Sequence, residues 1–411
     1  MHYPCKKYLY YHDKAIFFSI EKSDILHSRG AMKNILSALV MCLFMFCGCG
    51  ESGDAGKNDM DSPPLALVKV KSSWGYIGPD GKWIVRPSFR DAWPYSEGLA
   101  LIKKGHKFGY IDTRGKYAIK PRFYEAKPFS DGLARVRADF KWGYIGRNGE
   151  FIIKPQFDDA DNFYEGRARV KRGNSWGYID STGAWVAGPR FEGADNFREG
   201  FARIKSGGKY GFVDRMGNIR IQPRFDLAGS FSEGLAAVQA GEMWGYVDAG
   251  GTLVIEPQFE EAWSFSEGRA FVQIEKRWGY IARDGAFIIP PKFEDAWIFR
   301  EGLASVRVGT GWKYIDASGK SRSHYYDLVT PFSEGLAAIK GRDIVNNREG
   351  VGKWGYLNRN GTYAIPLQYD DALPFSEGLA AVRSGNKWGF IDTAGRMVIE
   401  PRFDRVFSFG K

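Results

Sequence analysis

A tryptophan followed by glycine, or another aromatic residue in the tryptophan's place, stands at Trp74, Phe108, Trp142, Trp176, Tyr210, Trp244, Trp278, Trp312, Trp354 and Trp388. Eight of the nine intervals are 34 residues, and the one from Trp312 to Trp354 is 42. Self-similarity at a fixed period of this size marks a repeat architecture. Each copy is one supersecondary unit that cannot bury its apolar face alone and stacks on its neighbours. Independent domains on linkers would not keep such spacing. The 411 residues, enough for two or three ordinary domains, therefore read as one array over 65–411 preceded by a separate amino-terminal region.

Each copy has the same grammar. In the last one, "LAAVRS" is a short strand, a two-residue turn follows, and "KWGFID" is a second strand rich in aromatic and branched residues. "TAG" turns the chain again. Its glycine recurs in all ten copies, from Gly81 to Gly395, which predicts a backbone position of positive φ. "RMVIEP" is a third strand, expected to end at the proline, which cannot donate to a ladder. "RFD", a small residue, an aromatic and "SEG" then cross to the next copy. The expectation is ten three-stranded meanders with irregular crossovers. Glycine beside tryptophan is expected to leave room for a neighbouring aromatic ring. The carboxylate of "SEG", Glu in eight copies and Asp131 in one, is expected to accept backbone N–H bonds, since a structural corner obeys repeat symmetry and a catalytic site breaks it.

The Trp-Gly-Tyr-Ile-Asp core, the Pro-x-Phe-Asp/Glu and the Phe-Ser-Glu-Gly-Leu-Ala run resemble the bacterial WG-repeat family, over about residues 65 to 411. The resemblance implies an all-β repeat array and no particular chemistry. Departures are local: Lys313 replaces the glycine of the eighth copy, which lacks the proline and reads "SRSHYYD". Ten units exceed the usual roughly 4–8 blades of a propeller. The arrangement favoured is an open, coiled β-solenoid, the alternative a closed, propeller-like one.

Residues 32–48, "MKNILSALVMCLFMFCG", carry a positive start, an apolar run and a small residue before Cys49. That is the layout of a secretory signal, and "FCGC" resembles a bacterial lipobox with Cys49 as the lipidated (palmitate-bearing) residue. An uncleaved transmembrane anchor is the alternative. The polar stretch 1–31 reads as a mis-assigned extension ahead of Met32, and 49–64 as a flexible tether. All four cysteines, Cys5, Cys42, Cys47 and Cys49, precede the array. By resemblance, Gly50 after the cysteine favours the outer membrane of a Gram-negative envelope over the outer face of the cytoplasmic membrane.

The net charge of +10 belongs to the array, because residues 1–64 hold seven basic and seven acidic residues. Residues 65–107 carry eight basic and three acidic, residues 108–141 eight and four, and residues 244–277 three and six. Strand alternation puts Arg135 with Arg137, Arg169 with Lys171, Arg203 with Lys205, and Arg167 beside them, on one face of successive copies. Two readings follow: a cationic track for a polyanion or an anionic membrane surface, or a solvated strand face paired with nearby carboxylates.

No catalytic constellation stands out. The array has two histidines, His106 and His324, and no cysteine, so no cofactor, metal site or cysteine chemistry is expected. Nucleic acid is not an expected partner. Two function classes remain: a lipid-anchored envelope scaffold that binds a protein or an anionic envelope polymer, and a glycan hydrolase built on the repeats. A polar insertion carrying Arg342 and Arg348, with His324 and Tyr325 of the same copy, is the candidate place where recognition breaks the symmetry.

Overall fold

The computed structural model describes residues 63–341 and 352–410. The extension, the signal segment, Cys49, nearly all of the tether, and Arg342 and Arg348 lie outside the described residues. Ten small antiparallel sheets, one per tryptophan landmark, follow each other around a ring; we number them blades 1 to 10 from Trp74 to Trp388.

Blade 6 shows the plan. Its three long strands are Leu235–Ala240, Met243–Asp248 and Leu253–Phe259. A fourth, short strand, Leu227–Ala228, pairs with the first through Leu227 opposite Gln239 and Ala228 opposite Val238. The short strand lies in the stretch expected to be an irregular crossover. It follows the third strand of blade 5, Ile219–Phe225, after the single residue Asp226, so the chain turns from one sheet into the next within one residue. The expected three-stranded meander is thus a four-stranded sheet, each completed by its predecessor's tail.

The third strand does not stop at its proline. It runs on to the phenylalanine, and its register slips: Trp244 faces Phe259, but Tyr246 faces Ile255. Two residues advance on the second strand while four advance on the third, so Pro257 sits in a bulge, where no ladder hydrogen bond is required of it. The bulge also explains the glycine of the Trp-Gly pair. A Cβ on Gly245 would lie 2.4 Å from the Ile255 carbonyl oxygen and 2.8 Å from the Pro257 nitrogen. The same backbone collision, at 2.4–2.6 Å, stands at the equivalent glycine of every other blade except the eighth. The glycine makes room for bulged backbone, not for the aromatic ring expected from the sequence. In blade 8 the position is Lys313, and there the sheet has only three strands. Ser321 and Tyr326 touch it through isolated bridges in place of a third long strand.

Cores form between blades. Tyr246 is fully buried, and its ring meets Phe265 of the next blade edge-on at 5.0 Å. Its hydroxyl donates to the Trp263 carbonyl oxygen, 17 residues on, at 2.7 Å. The turn glycine, positive in φ in all ten copies from Gly81 (76°) to Gly395 (80°), as expected, packs on the preceding blade's third strand. Gly251, for example, faces the Ile221 side chain.

The ring closes, so the expected open, coiled array gives way to the closed alternative. Arg405–Val406, the last strand, pairs with the first strand of blade 1: Val68 opposite Val406 and Lys69 opposite Arg405. Leu65 and Gly410 exchange backbone bonds of 3.0 and 3.2 Å. Arg402 donates to the Gly81 carbonyl oxygen across the same seam at 2.7 Å. An open array would leave two apolar blade faces in water; closure buries Val68, Ile77, Phe390 and Phe409 in one cluster.

Candidate binding surface

The strands alternate between two faces of the ring. On one face lie the "SEG" corners and the Asp-x-x-Gly turns. On the other lie the turns between first and second strands and the one-residue junctions between blades.

On the first face, Ser232 and Leu235 exchange backbone bonds around Glu233 and Gly234, whose φ values are 53° and 76°. Two consecutive left-handed residues make the hairpin turn that matches strand twist. Glutamate is a costly choice there, by about 1–2 kcal/mol. An interblade bond offsets it: the Glu199 carboxylate accepts from the Glu233 and Gly234 amides at 2.7 and 2.8 Å. Glu165 does the same for Glu199 and Gly200, and Asp131 accepts from Gly166 at 2.7 Å. The corner carboxylates accept backbone N–H bonds as expected, but from the next copy.

The cationic column resolves into two kinds of residue. Arg135, Arg169 and Arg203 point between blades and join Asp161 and Asp195 in an alternating chain. Arg135 reaches Asp161 at 3.3 Å, Asp161 reaches Arg169 at 2.7 Å, Arg169 reaches Asp195 at 3.8 Å, and Asp195 meets Arg203 Nε at 2.6 Å. Each guanidinium also donates to the next blade, at the Ala160, Ala194 and Ala228 carbonyl oxygens. Burial pushes the Asp161 carboxyl up, but the Arg135 and Arg169 charges outweigh it and hold it below the usual carboxylate range. Arg137, Lys171 and Lys205 line up with the landmark rings, 5.9 Å from Trp142, 5.9 Å from Trp176 and 5.4 Å from Tyr210. Arg137 also pairs with Glu125 at 2.7 Å. Arg167 is on the corner face, donating to the Arg215 carbonyl oxygen at 2.8 Å. The sequence pattern supplied the arginines; it missed Asp161 and Asp195, which follow the short strand in a column that no other copy keeps acidic.

The junction face has its own repeated device. An acidic residue stands at eight of ten junctions. Asp226 takes Lys209 at 2.5 Å from one blade and the Gly241 amide at 2.9 Å from the next. Asp370 takes Lys353 at 2.5 Å and the Gly385 amide at 2.6 Å. Asp404 does so across the seam with Lys387 and the Lys71 amide, both at 2.5 Å. The two exceptions adjoin: Arg90 and Tyr124. Beside them the next turn is Asp139–Phe140, with φ of 49° and 62°, and Phe140 is 85% exposed. An aromatic side chain held left-handed at a solvent-exposed turn is strained with no packing to show for it. Tyr124 is 69% exposed, with the Lys107 ammonium over its ring. The junctions between blades 1 and 2 and between blades 2 and 3 thus replace the acid clamp with cations and exposed aromatic rings. In blade 8, Tyr325 is 55% exposed beside Lys313, whose ammonium is 5.2 Å from its ring. His324 is exposed next to it. Among the described residues, no group of three His, Cys, Asp or Glu side chains could hold a metal ion.

A closed ring of ten β-blades built from one repeat is the class that the fold defines. The family model described as "WG containing repeat" matches ten segments from residues 74–107 to 388–411, and the chain belongs to that family. No curated protein matches it significantly. Solved structures resemble it only loosely. A eukaryotic initiation factor is 12% identical over 73% of this chain and 95% of its own, with a TM-score of 0.47. AztD of Citrobacter koseri is 12% identical over 84% and 96%, with a TM-score of 0.35. PorZ, described as a surface component of the type-IX secretion system of Porphyromonas gingivalis, is 9% identical over 81% and 52%, with a TM-score of 0.26. At such scores these likenesses carry no argument about function.

Proposed function

We propose that the chain is a bacterial lipoprotein, anchored through Cys49 in the cell envelope, whose ring binds an anionic envelope polymer on the junction face of blades 1 to 3. One observation carries the reading. The polar groups that recur in every copy are spent on joining blades, whereas Arg90, Tyr124 and Phe140 break the repeat together on one exposed surface that also holds Lys103, Lys104 and Lys107. Cations interleaved with exposed rings suit a polyanion that also presents apolar or sugar faces. A protein partner with an acidic surface would meet the same chemistry. The anchor keeps the ring at the envelope, where such polymers are.

Two experiments test this. Fatty-acid labelling should be abolished by Cys49→Ala; labelling that persists removes the anchor from the proposal. Cosedimentation with purified anionic envelope polymer should fall steeply between low and physiological salt. It should be weakened by Arg90→Asp, Tyr124→Asp and Phe140→Asn combined, which put in residues that other copies carry at those positions. Equal binding by that variant would move the site elsewhere.

A further inference from the structure

The basin at the start of the ring breaks the repeat at three positions at once. It is a shallow cavity of about 530 Å³ lined by Lys69, Ser72, Ser73, Ser88, Arg90 and Asp91. At the junction, Arg90 replaces the acid of eight other copies. Ahead of the tryptophan, Ser73 replaces the lysine or arginine that clamps that acid in blades 3, 5, 7, 9 and 10. In the Pro-x-Phe element, Ser88 replaces the Arg, Gln or Lys found in every other copy that has the element. In the turn, Ser72 stands beside Lys71, which holds φ at 55° without being glycine. The changes at Ser73, Ser88 and Arg90 each remove a carboxylate or a long side chain, and leave a hydroxyl or a cation at the cavity.

We infer that this basin is a binding site for a phosphate group, as a monoester or diester. Three hydroxyls and two permanent cations around one cavity offer donors to a tetrahedral oxyanion from several sides, and charge-assisted bonds to such an anion are the strong ones. Arginine adds the two-pronged donor that phosphate accepts. The acidic groups nearby are already engaged. Asp91 has the Lys103 ammonium at 4.0 Å, and Asp404 across the seam is held by Lys387 and the Lys71 amide. The Lys69 ammonium sits 5.3 Å from the Trp74 ring, which fixes its stem without neutralising it. The chain enters the ring at Leu65, at the other end of the first strand from Ser72, so the basin opens on the face opposite the chain's entry. The site deepens the polymer-binding reading by naming a chemical group, and stands or falls separately from it.

The test uses the full-length protein in detergent and its variant Ser73→Lys with Arg90→Asp. That pair rebuilds the clamp seen in five other blades, so the variant is expected to fold and melt like the parent. Inorganic phosphate and glycerol phosphate, titrated against chloride at matched ionic strength, should shift the amide resonances of residues 71–73 and 88–90 in the parent. The variant should bind at least about tenfold more weakly. Vesicles of phosphatidylglycerol form a third arm: capture that the variant loses assigns the group to a lipid headgroup, and no capture assigns it to a soluble or polymeric phosphate. Shifts matched by chloride, or unchanged in the variant, overturn the inference. Polymer binding that survives in that variant leaves the broader reading intact and removes only this one.

Discussion

Gly245→Ala puts the account of the Trp-Gly pair at risk in its sign as well as its size. Gly245 is not at positive φ, so alanine suits its backbone. On backbone grounds alone the change stabilises by about 0.4–1 kcal/mol, through a less flexible unfolded chain. The structure predicts the reverse. The new methyl would sit 2.4 Å from the Ile255 oxygen and 2.8 Å from Glu256 C and Pro257 N, all backbone atoms that no rotamer change can move aside. Relief requires the third strand to shift, and overpacking of this kind costs about 1–3 kcal/mol. The upper half of that range is expected, because the bulge is held on both sides by pairing of Trp244 with Phe259 and Tyr246 with Ile255. The natural control is blade 8, where Lys313 stands at this position and the third strand is missing. The engineered control is Gly268→Ala. There φ is 74° and nothing lies within 4 Å, so only left-handed strain of about 1–2 kcal/mol applies and no strand moves. Thermal denaturation gives the global cost, and amide exchange locates it. Gly245→Ala should lose protection along residues 253–259, and Gly268→Ala should lose it only at its own corner. A Gly245→Ala protein that is more stable than the parent, with residues 253–259 still protected, refutes the reasoning.

Other consequences are open to measurement. Removing residues 404–411 takes away the strand that pairs with Val68 and Lys69, and exchange should rise in blades 1 and 10 together; a rise confined to blade 10 would mean the seam contributes nothing. Glu165→Ala removes acceptors for two amides and the Arg215 guanidinium, and should cost more than Glu267→Ala, which removes one for Gly302. Each bond to a charged group is worth roughly 1.5–3 kcal/mol at most and less at this exposure. The Asp316 carboxyl is held down to about 2, chiefly by the Ser318 hydroxyl and then by turn amides and Arg322. A depressed folded value stabilises above the unfolded one, near pH 4, and that contribution should disappear as pH falls from there toward 2. Asp316→Asn should flatten the acid dependence of exchange at residues 318–320. Tyr246→Phe removes only the bond to the Trp263 oxygen and should cost about 0.5–1.5 kcal/mol, whereas Phe390, already without a hydroxyl at the equivalent position, shows the ring closing without it.

How much of this was legible depends on whether a residue acts within its own copy or on the next. The second strand and the turn glycine's positive φ follow from local backbone geometry, which repeats in sequence and can be read there; the corner carboxylate was legible as a backbone acceptor, but not that its donors lie in the next copy. The bulge could not be read from the proline alone, because a proline fits a strand end or a bulge equally well. Only the Trp-Gly glycine opposite it separates the two. Asp161 and Asp195 were hidden for another reason. Asp161 joins Arg135 of one blade to Arg169 of the next, and Asp195 joins Arg169 to Arg203 of the blade after, a pairing that exists only once blades stack. Sequence alternation therefore showed three aligned arginines and left open an exposed track or a face paired with carboxylates; the fold builds an interblade ion chain from them.

Closure itself was written in the two ends, although not in the ten landmarks. The array begins at Leu65 with a first strand that has no short strand or Phe-Ser-Glu-Gly before it. Residues 402–410, "RFDRVFSFG", carry a short strand and a corner. Each end is the half-repeat the other lacks, and a linear array gains nothing from that match. In the ring, Phe409 takes the place of the corner phenylalanine and packs on Phe390 at 4.9 Å, and Gly410 takes the place of the corner serine opposite Leu65. Asp404, Arg402 and the Arg405–Val406 strand supply cross-blade bonds at this seam. A ring closed by completing a shared sheet gives every blade two neighbours, which is why ten marginal sheets of three or four strands can stand without a helix, a disulfide or a metal among the described residues.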